Sequence, residues 1–147
     1  MKIHINLLSA ISLGLKEITE HNEQADIVVE RLLSSNKKWG ARDRRFIAEN
    51  IYNVIRYKRL YEFCAETEPG NEGYALKLIA AKYLIENPES VVADAIAPLN
   101  KEQVAKRLLQ AKEVRKIRES LPDWLDELGE NELAEKWESE IHALNEA

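Results

Sequence analysis

The sequence is poor in the residues that build disulfides, phosphate-binding loops and metal sites. Its single cysteine, Cys64, excludes an internal disulfide, and its five glycines form neither GxGxxG nor GxxxxGK(S/T), the motifs of nucleotide-binding loops. The three histidines are far apart, and the acidic C-terminal stretch lacks the glycine-punctuated spacing of a calcium loop. We therefore predict neither a metal site nor a cofactor site in this chain.

Long apolar runs are absent as well. No run approaches the roughly 20 apolar residues needed to cross a bilayer, and the N-terminal stretch "MKIHINLLSAISLGLKEITEHN" has no small-residue cleavage site for export. We expect a cytoplasmic protein with no membrane partner. Apolar residues still make up 45% of the 147 residues, which is enough to bury the core of one domain.

The apolar residues recur at spacings of three and four, which predicts an all-α domain. The predicted helices span about 3–21, 24–34, 41–65, 74–86, a short segment within 89–100, 101–121, 122–129 and, finally, about 131–146. Gly129 is expected at the end of the 122–129 helix. Cys64 lies among helix-forming residues and is predicted to be a small buried residue rather than a nucleophile.

Charge is distributed very unevenly along the chain. The net charge is -5, yet residues 37–59 contain eight Lys or Arg and two acids, about +6. Residues 101–119 contain seven basic and three acidic residues, about +4, whereas residues 120–147 contain nine acids and one lysine, about -8. This segregation predicts a polarised surface, although simple solvation of charged helix faces explains residues 101–119 equally well.

Helical periodicity concentrates the charge of the 41–65 helix on one face. At 100° per residue, five polar residues fall within about 80° of one another: Arg42, Arg45, Glu49, Asn53 and Arg56. We call these five residues the polar stripe. The opposite side carries Ile47, Ile51, Val54 and Ile55, which we expect in the core. Arg44 falls among these apolar positions and is predicted to make a structural ion pair near a neighbouring helix end.

The composition of this face suits RNA. The planar donor fork of arginine matches phosphate oxygens, and the flanking Tyr52 and Tyr57 are expected to stack on unpaired bases. The predicted RNA-binding residues are Lys37, Lys38, Arg42, Arg45, Arg56 and Arg59. A protein partner remains an alternative, because basic amphipathic helices also bind proteins.

Two segments of the chain resemble a known family. "GARDRRFIAENIYNVIRYKRLYEF" is similar to the "ARDR…ELVYGVLR…R" segment of the NusB-like N-terminal domain in the RsmB/Sun (Fmu) family of RNA 5-cytosine methyltransferases. "SLPDWLDELGENELAEKWESEIHALNEA" is similar to the "PDWL" element and the acidic helix ending in "NE" that close this domain. The matching residues are Ala41, Arg42, Asp43, Arg44, Glu49, Ile51, Tyr52, Val54, Ile55 and Arg56, then Pro122, Asp123, Trp124, Leu125, Asn145 and Glu146.

The resemblance implies a single NusB-like helical RNA-binding domain, residues 1–147, built as a bundle of about seven to eight helices. Asn53 departs from the family, which commonly has glycine there. In the family a methyltransferase domain follows, with an S-adenosylmethionine site and two cysteines, one of which attacks the cytosine ring. Cys64 matches neither cysteine motif, so we expect no catalytic residue in this chain.

We interpret the chain as the N-terminal RNA-binding and targeting domain of an S-adenosylmethionine-dependent rRNA cytosine-5 methyltransferase. Its expected partners are RNA, most simply ribosomal RNA, and its own C-terminal methyltransferase domain. The alternative is a free-standing NusB-like protein-interaction module in transcription antitermination. A third interpretation has the polar stripe dock onto an acidic face of the same enzyme. Trp124 and Trp137 lie where a catalytic domain would pack, and we expect both to belong to a partly exposed apolar surface.

Overall fold

A computed structural model describes residues 5–146 of the chain. Within this range the chain is helical, with one 3-10 turn at Ala134–Lys136 and no β-strand, which confirms the all-α prediction. The first two residues of the predicted first helix, residues 3 and 4, lie outside the described range. The helices are α1 Ile5–Glu20, α2 Ala25–Ser34, α3 Ala41–Arg56, α4 Lys58–Ala65, α5 Tyr74–Glu86, α6 Val92–Ile96, α7 Lys101–Lys112, α8 Arg115–Arg118, α9 Asp123–Leu133 and α10 Trp137–Glu146.

The main hydrophobic core is built around α5. Its sequence, "YALKLIAAKYLIE", is apolar on most sides, which is the pattern of a helix surrounded by other helices. Four consecutive residues of α5 are fully buried: Leu78, Ile79, Ala80 and Ala81. Helices α1, α3, α4, α6 and α7 pack around α5, so α3 is held against the core along one side and faces solvent along the other.

A second, smaller core joins the C-terminal helices. Leu121, Trp137 and Ile141 are buried together, with Leu125 packed against them. The Trp137 indole nitrogen donates to the Asp126 carboxylate at 3.0 Å. Trp137 is therefore a core residue with only 6% of its surface exposed. Trp124 is 65% exposed, so the apolar surface expected on the C-terminal helices is exposed in part.

Two predicted helices are interrupted. The 41–65 helix breaks at Tyr57, whose backbone (φ -107°, ψ 24°) leaves the helical region between α3 and α4. The 101–121 helix breaks at Val114 (φ -122°, ψ 102°), between α7 and α8. The break at Tyr57 lets α4 turn a different face toward the core. Tyr61 and Cys64 of α4 are buried in this way.

The C-terminal boundaries also differ from the prediction. Helix α9 runs through Gly129 to Leu133 and ends at Ala134, which adopts a positive φ of 47°. The final helix begins at Trp137 rather than at about residue 131. Gly129 therefore lies inside a helix rather than at its end. The reason is packing, since a Cβ there would come closer than 3.0 Å to three carbons of the Trp137 indole.

Candidate nucleic-acid interface

Helix α3 separates polar from apolar residues as its sequence predicts. Ile47, Ile51 and Val54 are fully buried in the main core. On the opposite side Arg42, Arg45, Glu49 and Arg56 are exposed, and Asn53 is half-buried. The apolar face fixes the helix against the core, so the polar stripe is presented on a rigid support.

The arginines of the chain fall into two groups according to their partners. Five of the nine form salt bridges with carboxylates: Arg31, Arg59, Arg107, Arg115 and Arg118. Arg44 is engaged by a backbone carbonyl. Arg42, Arg45 and Arg56 enter none of the ion pairs among residues 5–146. All three belong to the polar stripe, so the positive charge of α3 is not neutralised by the acidic residues of the described chain.

The second basic segment behaves differently, because the acidic tail pairs with the basic residues at its C-terminal end. Arg115 bonds the Asp126 carboxylate at 2.7 Å and Glu130 at 2.7 Å, and the hydrogen bond from Arg115 lowers the pKa of Asp126. Arg118 pairs with Glu119 and with Glu138. The arginines of α8 therefore hold the C-terminal helices together, and they do not form a second basic surface.

Arg59 is also held inside the structure. Its guanidinium donates to the Leu121 carbonyl at 2.6 Å and to Asp123 at 2.8 Å, and its backbone N–H donates to the Ser120 hydroxyl at 2.9 Å. These bonds join α4 to the start of α9. We therefore assign Arg59 to this junction rather than to the phosphate-binding set predicted from the sequence.

The remaining predicted residues lie on the surface. Lys37 and Lys38 are exposed in the turn between α2 and α3, where the Asn36 side chain accepts a hydrogen bond from the Lys38 backbone N–H at 2.9 Å. They precede the N-terminal end of α3 and add to its positive charge. Arg56 is exposed at the other end of the helix, and its one hydrogen bond to a described residue is a long contact of 3.4 Å to the Leu144 carbonyl.

The two tyrosines that flank the polar stripe have different environments. Tyr57 is half-buried, lies 6.2 Å from the ring of Tyr61 and donates to the Asn145 carbonyl at 3.4 Å, and burial raises its pKa. Tyr52 is 42% exposed, and its hydroxyl donates to the Asp26 carboxylate, a bond that raises the pKa of Tyr52. Only Tyr52 offers an accessible ring beside the exposed arginines.

A shallow, open depression lies on the exposed side of α3. We call it the α3 cleft, and it is lined by Arg45, Ala48, Glu49, Tyr52, Asn53 and Arg56. The residues are three or four positions apart, which makes them neighbours on a helix surface. Sequence periodicity places all of them on one side, but the anchoring of Tyr52 by Asp26 of α2 is a contact between distant residues that no local pattern predicts.

Arg44 has the structural role expected of it but a different partner. Its guanidinium donates to the Leu33 carbonyl at 2.8 Å. This carbonyl belongs to the last turn of α2, where the carbonyl groups have no hydrogen-bond partner within the helix. The predicted ion pair near a helix end is thus replaced by a charged hydrogen bond to that helix end.

Changing Arg44 to glutamine is expected to lower the free energy of unfolding by about 2 kcal/mol, because a hydrogen bond from a charged donor contributes about 1.5–3 kcal/mol. Arg42→Gln is the matched control on the same helix, with an expected change below about 1 kcal/mol for an exposed charge. Urea denaturation followed by circular dichroism measures both. Equal stability of the two variants would contradict the assigned role of Arg44.

The structure offers no nucleophile at the cleft. Cys64 is buried in the main core, as predicted, and burial raises the pKa of its thiol to about 11. Between residues 5 and 146 no three His, Cys, Asp or Glu side chains are grouped to hold a metal ion. In the same range no helix is long and apolar enough to cross a lipid bilayer.

Comparisons of the chain with protein-family models, with curated proteins and with solved structures found no match.

Proposed function

We propose that this chain is an RNA-binding and targeting domain of an S-adenosylmethionine-dependent rRNA cytosine-5 methyltransferase, with the polar stripe of α3 as its RNA-binding face. The chain itself performs no chemistry in this proposal. Arg42, Arg45 and Arg56 contact phosphates, and Lys37 and Lys38 extend the positive surface beyond the start of α3. S-adenosylmethionine belongs to a methyltransferase domain outside this sequence.

The observation that carries the proposal is the contrast between the arginines. An acidic protein has carboxylates available for every arginine, and five arginines use them. Within residues 5–146, the three on the exposed face of α3 do not. Unpaired guanidinium groups on a rigid helix face are prepared to bind phosphate without first breaking internal ion pairs.

A second support is that the two segments resembling the methyltransferase family contact each other. Arg59 bonds Leu121 and Asp123 of the "SLPDWL" element, and Tyr57 contacts the carbonyl of Asn145. The side chain of Asn145, in the "NE" ending, donates to the carbonyl and the carboxylate of Glu119 at 3.0 and 3.1 Å. Two residues that match the family, Asp123 and Asn145, thus take part in the contacts that join α3 and α4 to the C-terminal helices.

The test is the salt dependence of RNA binding. Each neutralised phosphate releases condensed counterions, so the triple variant Arg42→Gln, Arg45→Gln, Arg56→Gln is expected to flatten the plot of log affinity against log salt by about two to three units. Its free energy of unfolding should change little, since exposed charges contribute about 0–1 kcal/mol each. Filter binding of structured ribosomal RNA across a salt series measures the slope.

The matched control removes the same three charges elsewhere. Lys106, Lys112 and Lys136 are exposed on α7 and in the 3-10 turn. Changing these three lysines to glutamine lowers the net charge equally, and the slope should stay within about one unit of the parent. If both triple variants weaken binding alike, the attraction depends on net charge alone and the face assignment is wrong.

A protein-interaction module, as in transcription antitermination, is the second candidate. It is favoured by Trp124 and Leu128, which lie four residues apart on one side of α9 and are 65% and 49% exposed. If the α3 triple variant binds RNA as tightly as the parent at every salt concentration, this candidate replaces the first, with α3 as a protein-docking surface.

A further inference from the structure

The α3 cleft contains a residue that phosphate binding does not explain. Glu49 lies between Arg45 and Arg56 on the polar stripe, and a carboxylate there weakens the attraction for phosphate. Arg45 and Glu49 have the spacing of an i,i+4 ion pair, but no nitrogen of Arg45 comes within the 4.0 Å of a salt bridge. Glu49 is also absent from the other ion pairs of the described residues. Glu49 lines the cleft, and its carboxylate is available there as a hydrogen-bond acceptor.

Asn53, one turn further along α3, has a fixed orientation. Its side-chain oxygen accepts a hydrogen bond from the hydroxyl of Tyr61 at 2.7 Å, and Tyr61 is buried in the main core. With the oxygen occupied, the amide NH2 is the group that Asn53 presents to the cleft it lines. The cleft thus has an acceptor, Glu49, beside a donor, Asn53, on neighbouring turns.

The ring of Tyr52 lies beside this pair. Tyr52 is three residues after Glu49 and four before Arg56, so it is a helix neighbour of both. Its hydroxyl is anchored to Asp26 of α2, while 42% of its surface remains exposed. A ring held at one end and open to solvent is suited to stacking on an unpaired base, because stacking requires a platform that does not move.

These three side chains select among the bases by their donors and acceptors. An ionised carboxylate only accepts hydrogen bonds, so it requires a base edge with two adjacent donors to use both oxygens. Guanine has such an edge: its N1–H and its 2-amino group are donors, and its O6 beside them is an acceptor. Adenine, cytosine and uracil each present at most one donor position on this edge.

We propose that the α3 cleft binds one unpaired guanine of an RNA strand, with its ring stacked on Tyr52, its N1–H and 2-amino group donating to Glu49, and its O6 accepting from Asn53. The neighbouring phosphates lie on Arg45 and Arg56. This inference rests on the proposed RNA binding of the polar stripe and names the nucleotide that the stripe recognises.

The test uses single-stranded oligouridine of eight nucleotides with one central position changed to guanine, adenine, cytosine or inosine. Fluorescence anisotropy should give an affinity about tenfold higher for guanine than for adenine, in the range of a bidentate contact. Inosine keeps N1–H and O6 but lacks the 2-amino donor, so its affinity should fall between the two.

Four variants separate the contributions. Glu49→Gln should remove the preference for guanine over adenine without weakening the binding of plain oligouridine, since it also removes a negative charge. Tyr52→Leu should lower the affinity for all oligonucleotides about tenfold, whereas Tyr52→Phe keeps the ring but loses the bond to Asp26, so its affinity should fall between those of the parent and Tyr52→Leu. The Arg42, Arg45 and Arg56 triple variant should weaken the binding of every oligonucleotide and reduce its salt dependence. Thermal melts of each variant check that the helices remain intact.

The possible results distinguish this inference from the proposed function. If all four bases bind equally to the parent while the arginine triple variant still loses binding, the guanine site is wrong and the RNA-binding face stands. If Glu49→Gln keeps the preference for guanine, Glu49 is not the recognition group and the inference also fails. If the parent binds neither oligonucleotides nor structured RNA, both the inference and the proposed function are wrong.

Discussion

Replacing Gly129 by alanine is expected to destabilise the C-terminal helices by about 3 kcal/mol. In a helix interior alanine is normally favoured over glycine by about 1 kcal/mol, so an unhindered site would be stabilised. At Gly129 the added Cβ would come closer than 3.0 Å to three carbons of the Trp137 indole. The indole is buried and its nitrogen is bonded to Asp126, so it cannot rotate away and α9 must move instead. Overpacking of this kind costs about 1–3 kcal/mol, occasionally more.

The contact is isolated by a double-mutant cycle. Trp137→Leu alone should be destabilising, because it removes buried surface and the bond to Asp126. In that background, however, Gly129→Ala should become neutral or stabilising by up to about 1 kcal/mol, since the ring is gone and the helix propensity of alanine remains. Urea denaturation followed by far-ultraviolet circular dichroism gives the four free energies of unfolding.

Gly14→Ala in α1 serves as a comparison. The nearest atom to a Cβ at Gly14 is the terminal methyl of Ile51, at 2.8 Å, which can move by a side-chain rotation. Its cost should therefore be smaller than that of Gly129→Ala. If Gly129→Ala is as stable as the parent, Trp137 does not pack on α9 as described.

A helix with clear start and stop signals was predictable from the sequence alone. Helix α5 spans Tyr74–Glu86, as predicted, because Gly73 precedes it and "NP" ends it. The break at Tyr57 was missed although the sequence carries a sign of it. In an uninterrupted helix Leu60, Phe63 and Cys64 would fall on the same side as the arginines. This change of phase in the apolar pattern indicates a new helix, which is α4.

Gly129 could not be interpreted from local sequence. A glycine near a predicted helix end is typical of a C-terminal cap, and the stretch up to Gly129 reads as a complete short helix. What the glycine provides is room for an aromatic ring eight residues later, and that requirement appears only when α9 and α10 are packed together.

The candidate site was predictable to a similar extent. Periodicity places Arg42, Arg45 and Arg56 on one exposed face, and the structure agrees. It does not reveal which basic residues already have internal partners. Arg59 forms an ion pair with Asp123, a residue 64 positions away, and this pair forms only when the C-terminal helices pack against α4.

The same limit applies to the two tyrosines beside the polar stripe. The sequence alone predicts base stacking for Tyr52 and Tyr57 equally. They are separated by contacts with Asp26 and with Asn145, which belong to other helices.

Glu119→Gln is expected to destabilise the C-terminal helices by about 3 kcal/mol at neutral pH. The Glu119 side chain is only 5% exposed. One of its carboxylate oxygens accepts from Asn145 at 3.1 Å, and the other accepts from Arg118 at 3.1 Å. Glutamine has the same shape but turns one acceptor into a donor, so one of these partners would face another donor. Hydrogen bonds to charged groups contribute about 1.5–3 kcal/mol each.

Glu138→Gln is the matched control, because Glu138 pairs with the same arginine. Its side chain is 61% exposed, so its replacement should cost less than about 1 kcal/mol. If the two variants lose the same stability, the burial of Glu119 and its bond to Asn145 add nothing beyond an exposed ion pair. In that case α10 does not pack against Glu119 as described.

The pH dependence provides an independent check on Glu119. Burial alone would raise the pKa of Glu119, but hydrogen bonds from Asn145, Arg118 and His142 outweigh it and hold the pKa below its usual value. A lowered pKa in the folded state means that the stabilisation is fully present above the unfolded pKa of about 4.3 and is lost as the pH falls through the folded value. Glutamine does not titrate, so the gap in stability between the parent and Glu119→Gln should be present at pH 7 and should shrink below about pH 4. A gap that stays the same between pH 7 and pH 3 in urea denaturation would show that the ionised carboxylate of Glu119 does not hold α10 in place.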